Sequence, residues 1–352
     1  MKMLKPEELK QYQRQIILPE LGITGQEKLK AASILMIGAG GLGCPVLQYL
    51  VAAGVGHIGI ADNDVVDLSN LHRQILYTNL DVGKPKAITA KEKLGYLNPF
   101  VKITAYQERV TLENAERLIS QYDVIIDGSD NFPTRYLIND TCVQLNKPLV
   151  FGSIFKFEGQ VAVFNYRQGP NYRDLFAEAP SEGEVPNCAE IGVIGVLPGI
   201  IGTLMANEAI KVIGEIGETL SGKLLTMNAL DCSTNIFKIS SSKPISQTPV
   251  TMANKSIEPE DKEISIDLLK KWMNKTPDKV FLVDVREDYE FDENNIGGTN
   301  IPLYELSKHI SAFPVDKKLV FICKTGQRSK MAIKIVKPLF DGEIFSVKGG
   351  IS

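Results

Sequence analysis

Between Gly38 and Gln74 the chain carries a glycine loop, GAGGLG, and then Asp62, Asp64, Asn70, Arg73 and Gln74 within thirteen positions. Gly38, Gly40, Gly41 and Gly43 follow an apolar run, ILMI, and precede a helix-length segment. Such glycines permit a tight turn and close backbone approach, so the amides opening the helix can face phosphate. Asp62 stands about twenty residues beyond the loop at a strand end, where a carboxylate accepts hydrogen bonds from ribose hydroxyls. These features alone suit a nicotinamide oxidoreductase as well as a phosphate-handling enzyme. Hydride chemistry at carbon needs no cations crowded beside the phosphates. Phosphoryl or nucleotidyl transfer does, because charge builds on phosphate oxygens in its transition state. Arg73 and Lys86 supply two cations. Asp130, just past a strand in DVIIDGSDNFPTR, supplies a carboxylate that can hold Mg2+ while phosphates complete the octahedron.

A second candidate lies in FICKTGQRSK, where Cys323 ends a strand and Thr325, Gly326 and Arg328 precede a helix. Such a loop aims backbone amides at the sulfur, and the helix N-terminus with Arg328 favours a thiolate or a bound persulfide anion. Cys188 sits in a polar stretch, EGEVPNC, which leaves a reactive thiol and a packed one both open. Cys44, at the start of the glycine-loop helix, is expected to pack against sheet.

These residues need a scaffold, and the chain supplies alternating strands and helices. Strands are expected at Ser33–Ile37, His57–Ala61, Val101–Tyr106, Val124–Asp127 and Pro148–Ser153. Helices are expected at Pro45–Ala53, Pro85–Tyr96, Leu112–Ser120 and Pro133–Asn146, with Thr111 capping the third. The alternation implies an α/β fold: a Rossmann-like, doubly wound, mostly parallel sheet covered on both faces. Gly159–Asn165 reads as a later, antiparallel strand. The polar, proline-bearing stretch 241–262 reads as a linker between residues 1–240 and a small α/β domain at 263–352. In that domain ISIDLLKKWM and SKMAIKIVKPLF are helices and VFLVDV and KLVFIC are strands.

A chain of 352 residues accommodates about two domains. The net charge of -3 offers no basic footprint for nucleic acid and no polybasic membrane signal. The apolar run Ile191–Ala206 falls short of a span and contains Pro198, so it reads as a buried core or subunit-contact helix. The N-terminus is too polar for a secretory signal, and five separated cysteines without a CxxC pair suit reduced thiols in a cytoplasm.

In order along the chain, YQRQIILPELG, GAGGLG, DNDVVDLSNLHRQ, GKPKA and DGSDNFPTR resemble the MoeB/ThiF family of adenylating enzymes, relatives of the ubiquitin-activating enzymes. The resemblance covers about Leu9 to Phe237. It implies ATP-dependent adenylation of the C-terminal glycine of a small ubiquitin-like sulfur carrier, with release of pyrophosphate. It places Asp62 at the ribose, Asn70, Arg73 and Lys86 at the phosphates, and Asp130 at Mg2+. Arg14 is implied to reach a nucleotide in a neighbouring subunit, hence a homodimer. Cys188 matches a family cysteine that in some members takes part in thiol transfer. Many members hold zinc in two CxxC pairs. Here Asn171-Tyr-Arg-Asp174 stands at the first and SSSKPISQTP at the second, a poor donor set, so no zinc is expected.

The segment from about Glu263 to Gly350 resembles a rhodanese domain, through LVDVREDYEF, NIGGTNIPL and the cysteine loop. Arg328 follows Cys323 by five residues, as in six-residue rhodanese loops, whereas cysteine phosphatases carry one residue more. Asp284 and Arg286 are expected to be scaffold. The chain stops just after VKGG, where rhodaneses continue through another helix, which leaves full sulfurtransferase activity open. Together the resemblances imply sulfur delivery from a persulfide donor, such as a cysteine desulfurase, to a carrier thiocarboxylate. The molybdopterin-synthase small subunit is the first expected carrier and a ThiS-type carrier of thiazole synthesis the second. A carrier-binding scaffold that does not turn over ATP is the reading from another class.

Overall fold

The computed structural model describes residues 3–178, 192–239, 263–303 and 305–351. They fall into two compact units, the first drawn from residues 3–178 and 192–239, the second from residue 263 onward.

The first unit is built on an eight-stranded sheet. Its strands are β1 (Ser33–Ile37), β2 (His57–Ala61), β3 (Lys102–Tyr106), β4 (Val124–Asp127), β5 (Leu149–Phe155), β6 (Glu158–Phe164), β7 (Lys223–Asn228) and β8 (Thr234–Lys238). They lie in the order β3-β2-β1-β4-β5-β6-β7-β8, parallel as far as β5 and antiparallel beyond it. The sequence SILMI shows why β1 is central. Ile34 and Met36 enter the core on one face, Leu35 and Ile37 the core on the other, as a strand covered on both sides requires. Strand order reverses between β2-β1 and β1-β4, so a crevice opens beyond the C-terminal ends of these strands.

The glycine-loop helix (Gly43–Ala53) ends at Gly54, whose φ of 86° provides the left-handed cap. Against it packs the helix Leu197–Gly214, which also lies on β5 and β6. Its buried face takes Leu197, Ile201 and Met205 from the apolar run and continues beyond it through Ala209 and Val212. Among the described residues no helix is long and apolar enough to cross a membrane.

The second unit is a five-stranded sheet of β9 (Glu263–Ile264), β10 (Val280–Asp284), β11 (Thr299–Asn300), β12 (Lys318–Ile322) and β13 (Ile344–Val347). All pairings are parallel, in the order β11-β10-β12-β13-β9. Apolar cores lie on both faces, one beneath the helix Gln327–Val336 and one beneath the helix Ile266–Lys275.

One sequence expectation is corrected. The third helix begins at Ala115, not Leu112, and Thr111 does not cap it. Asn114 precedes the helix, and its side chain accepts from the Thr111 amide at 2.8 Å, fixing a turn where the cap was expected. β7 and β8 form an antiparallel hairpin that the sequence did not announce, because every residue of β8 is exposed and no alternation marks it. The proposed linker, 241–262, lies outside the described residues.

Candidate functional sites

A cavity of about 780 Å³ opens at the C-terminal ends of β1, β2 and β4. It lies within the range of ordinary ligand sites. Gly38 turns the chain out of β1 with φ 90°, and a Cβ there would meet the Gly128 carbonyl at 2.9 Å. Gly43 has a different duty: a Cβ on it would stand 2.1 Å from the Gly38 carbonyl oxygen, so only glycine lets the helix start so close to the strand. Above Gly40 an added Cβ would meet only Gln74 Nε2, at 3.5 Å, which leaves the backbone open to a ligand. Cys44 is fully buried, with Sγ 3.6 Å from the Ala39 carbonyl, and burial pushes its thiol up to about 12.

Asp62 sits at the end of β2. Its Oδ2 accepts from the Ala39 amide at 2.7 Å and its Oδ1 from the Asp64 amide at 2.8 Å, which fixes the carboxylate against the glycine loop. Burial raises its pKa, against the pull of those amides and of Lys86. Each oxygen keeps a lone pair for a hydroxyl donor. Lys86 opens its helix (Lys86–Leu97) with a buried stem, and its ammonium lies 3.0 Å from Asp64 Oδ2. The Tyr77 hydroxyl donates to the Ala39 carbonyl at 2.8 Å, joining the segment before Lys86 to the loop. Asn70 closes a short 3₁₀ turn capped by Asp67. From the next turn Arg73 donates to the Ser69 carbonyl at 3.1 Å.

The third wall comes from β4. Asp127 is fully buried, its Oδ1 accepts from the Ser129 amide at 2.8 Å, and burial raises its pKa. Asp130 projects from the following turn and is exposed in the cavity. Arg135, in the helix Phe132–Gln144, reaches back to the Ser129 carbonyl at 3.2 Å and lies over the rings of Phe132 and Phe151. Its Nε, Ser129 Oγ, Asp127 Oδ2 and Gln74 Oε1 are buried without a protein partner.

The fold thus gathers Gly38, Gly40, Gly41, Asp62, Asn70, Arg73, Gln74, Lys86 and Asp130 around one cavity. Gly43 stands behind it as a packing residue. Arg14 lies exposed on the short helix Gln13–Ile16 and does not line the cavity. Cys188 lies outside the described residues. Sequence reasoning named Asp64 without a site role and passed over Ser129 and Arg135. Arg135 stands six residues after Ser129 inside DGSDNFPTR, and only a helix whose side chains lean toward its N-terminus brings the two together. Asn171 and Asp174, where a first zinc pair was considered, cap a short helix instead. Asn171 Oδ1 accepts from the Arg173 amide, and Asp174 Oδ2 accepts from the Asn171 amide at 2.9 Å.

In the second unit, Cys323 directly follows β12 and is buried, with its Sγ accepting from the Gly326 amide at 3.1 Å. Gly326 turns the chain with φ 89° and precedes the helix Gln327–Val336. The Cys323 carbonyl accepts from the Ile351 amide at 2.8 Å, and Gly350 packs so closely on the loop that a Cβ would meet that carbonyl at 2.2 Å. Arg328 is engaged elsewhere: its Nη1 and Nη2 donate to the two oxygens of Glu290 at 2.6 and 2.8 Å. Asp284 and Arg286 form a buried bidentate pair, and Arg286 also donates to the Asn294 carbonyl at 2.6 Å. That pair ties β10 to the segment after it.

The ThiF family profile matches residues 12–248, and the rhodanese-like domain profile matches residues 265–352. Over 232 residues the chain is 57% identical to a sulfur carrier protein adenylyltransferase of Thermus thermophilus, covering 64% of this chain and 86% of that protein. It is 42% identical to a probable molybdopterin-synthase adenylyltransferase of Porphyra purpurea, covering 98% of this chain and 92% of that one. It is 41% identical to the probable adenylyltransferase/sulfurtransferase MoeZ of Mycobacterium tuberculosis, covering 99% and 93%. Among solved structures, that of PaaA superposes with a TM-score of 0.59 at 23% identity, over 68% of this chain and 76% of that one, a likeness of fold.

Proposed function

We propose, from the premise that this chain belongs to the ThiF family and carries a rhodanese-like domain, a working cycle for an adenylyltransferase that delivers sulfur to a carrier protein. The carrier is the small, ubiquitin-like subunit of molybdopterin synthase. In support, a relative matched along nearly the whole chain is named for molybdopterin synthase. The observation that carries the nucleotide site is the convergence of Asp62, Asn70, Arg73, Lys86 and Asp130 from separate segments onto one cavity at the strand-order switch.

In this reading Asp62 holds the ribose hydroxyls, and the amides after β1 face phosphate. Arg73, Asn70 and Lys86 hold the triphosphate. The carrier's terminal carboxylate attacks the α-phosphorus, and the bond to the bridging oxygen breaks. Pyrophosphate leaves with that electron pair. The nucleophile is an anion approaching a polyanion, so the cations lower the barrier by offsetting repulsion and stabilising the leaving group. No base is required, because the carboxylate is already ionised at neutral pH. Asp130 fits Mg2+: an exposed carboxylate beside the phosphate positions matches a metal that takes one or two protein oxygens plus phosphate and water. Bound there, Mg2+ supplies charge neutralisation on the phosphates. Arg14 serves the nucleotide of a second subunit in a homodimer.

The Cys323 persulfide, charged by a cysteine-persulfide donor, attacks the acyl-adenylate carbonyl and displaces AMP. The acyl disulfide formed is then cleaved at Cys323 Sγ by a thiolate, a role we assign to Cys188. This releases the carrier thiocarboxylate and leaves a disulfide for an external thiol to reduce. Replacing Cys323 with alanine should abolish thiocarboxylate formation, read by intact mass of the carrier, while carrier-dependent ATP–pyrophosphate exchange persists. Loss of both activities would defeat this division of labour.

A further inference from the structure

Of the two cations of the cysteine loop, Lys324 and Arg328, the arginine is the half-buried one, yet both arms of its guanidinium are taken. Glu290, on the helix Asp288–Glu293, receives them in a two-point pair at 2.6 and 2.8 Å, with both side chains largely buried. A planar fork matched to a carboxylate is the strongest arrangement open to arginine. It holds the Glu290 carboxyl below the usual carboxylate range, and Glu290 also accepts from the Glu287 amide at 3.1 Å, which fixes it from its own helix. More acid surrounds the pair: Glu287, Asp288 and Glu305 act electrostatically together there. On the basic side, Lys324 is exposed to solvent and Arg286 is bound to Asp284. Toward the sulfur itself the loop presents the Gly326 amide and, at 3.8 Å, the Ser329 hydroxyl, while the Glu290-bound Arg328 acts on Cys323 only through its charge.

We propose that Glu290 is a specificity determinant which, by occupying Arg328, turns the Cys323 loop against doubly charged sulfur donors and toward persulfides carrying one charge or none. The inference rests on the reading of Cys323 as the sulfur acceptor. Two donor classes separate on this ground. With thiosulfate, the Cys323 thiolate attacks the outer sulfur, the S–S bond breaks, and sulfite leaves with the electron pair. This dianion, and the sulfite that forms, need an unpaired guanidinium. With an alkyl or protein persulfide, the thiolate attacks the terminal sulfur and a thiolate leaves, so at most one charge is handled. A paired Arg328 serves the second reaction and fails the first. Uncovering it should change the ratio between them.

The test uses the full chain with cyanide as common acceptor, which takes the sulfur as thiocyanate and regenerates the Cys323 thiolate. The readout is kcat/KM for thiosulfate divided by kcat/KM for cysteine persulfide, so a general loss of folded enzyme cancels. Glu290→Gln should raise this ratio about tenfold at low salt, with the gain shrinking as ionic strength screens the freed charge. The double variant Glu290→Gln with Arg328→Gln should bring the ratio back to the wild-type value or below. A ratio within twofold of wild type in Glu290→Gln, or one that stays raised in the double variant, overturns the proposal. If wild-type Cys323 gains no sulfur by intact mass from either donor, the acceptor reading falls and takes this inference with it.

Discussion

Asp127 illustrates what a single residue contributes beneath the proposed nucleotide site. It lies fully buried at the end of β4, with one carboxylate oxygen satisfied by the Ser129 amide and the other without a partner. Burial raises its pKa, so the folded protein holds this proton more tightly than the unfolded chain. A carboxyl shifted upward favours the fold at acid pH, and that advantage disappears as pH rises through the raised pKa. Asp127→Asn removes the buried charge and keeps the shape. Its thermal midpoint should exceed the wild-type one at neutral pH, and the difference should shrink as pH is lowered. A variant below wild type at neutral pH, or a gap insensitive to pH, would contradict this account. Among single residues, the glycines and Asp62 were legible in the sequence because spacing alone limits what they can do. The Lys86–Asp64 pair was not, since its members are twenty-two positions apart and meet only through the turn that follows β2. The Glu290–Arg328 pair was hidden for the same reason.

At the scale of elements, the chemistry hangs on how strands hand over to helices. Asn131 does this for Asp130. It takes an extended conformation (φ -134°, ψ 143°), and its side chain accepts from the Thr134 amide at 3.0 Å, opening the helix Phe132–Gln144 two residues after the carboxylate. Loss of such a cap costs about 1 kcal/mol. In a unit of this size that lowers the melting midpoint by about 2–4 °C. Asn131→Ala should therefore melt earlier by that amount and, with the Asp130 turn loosened, need more Mg2+ for half-maximal pyrophosphate exchange. Unchanged metal dependence would show that the cap does not position Asp130. The strands around the site were readable almost to the residue: β1, β2 and β4 are short apolar runs buried on both faces, bounded by glycine or aspartate. β7 and β8 escaped because antiparallel pairing at an exposed edge leaves little apolar signature. The helix after Thr111 was misjudged because a threonine before an amphipathic stretch is a sound cap only if no nearer side chain fixes another turn. Asn114 does so here.

Across the whole molecule, each unit owns its cores: the first has one on either face of the long sheet, the second likewise on its short one. A ligand that binds only the folded state stabilises by mass action, about 2.7 kcal/mol at a hundredfold excess over Kd. In calorimetry of the full chain, Mg2+-ATP should raise the transition of the first unit and leave that of the Cys323 unit in place. A shift of both together would place the nucleotide's effect beyond the first unit. The second sheet also sets an order of events during synthesis. Its first strand, β9, pairs with its last, β13, and the loop of Cys323 is tied down through the Ile351 amide. A ribosome delivers those partners at opposite ends of the segment, and domains fold as they emerge, N-terminal first. The crevice of the first unit is thus finished on the growing chain while Cys323 is still an unshaped thiol. On the proposed reading, the protein acquires its means of activating a carboxylate before it can present sulfur.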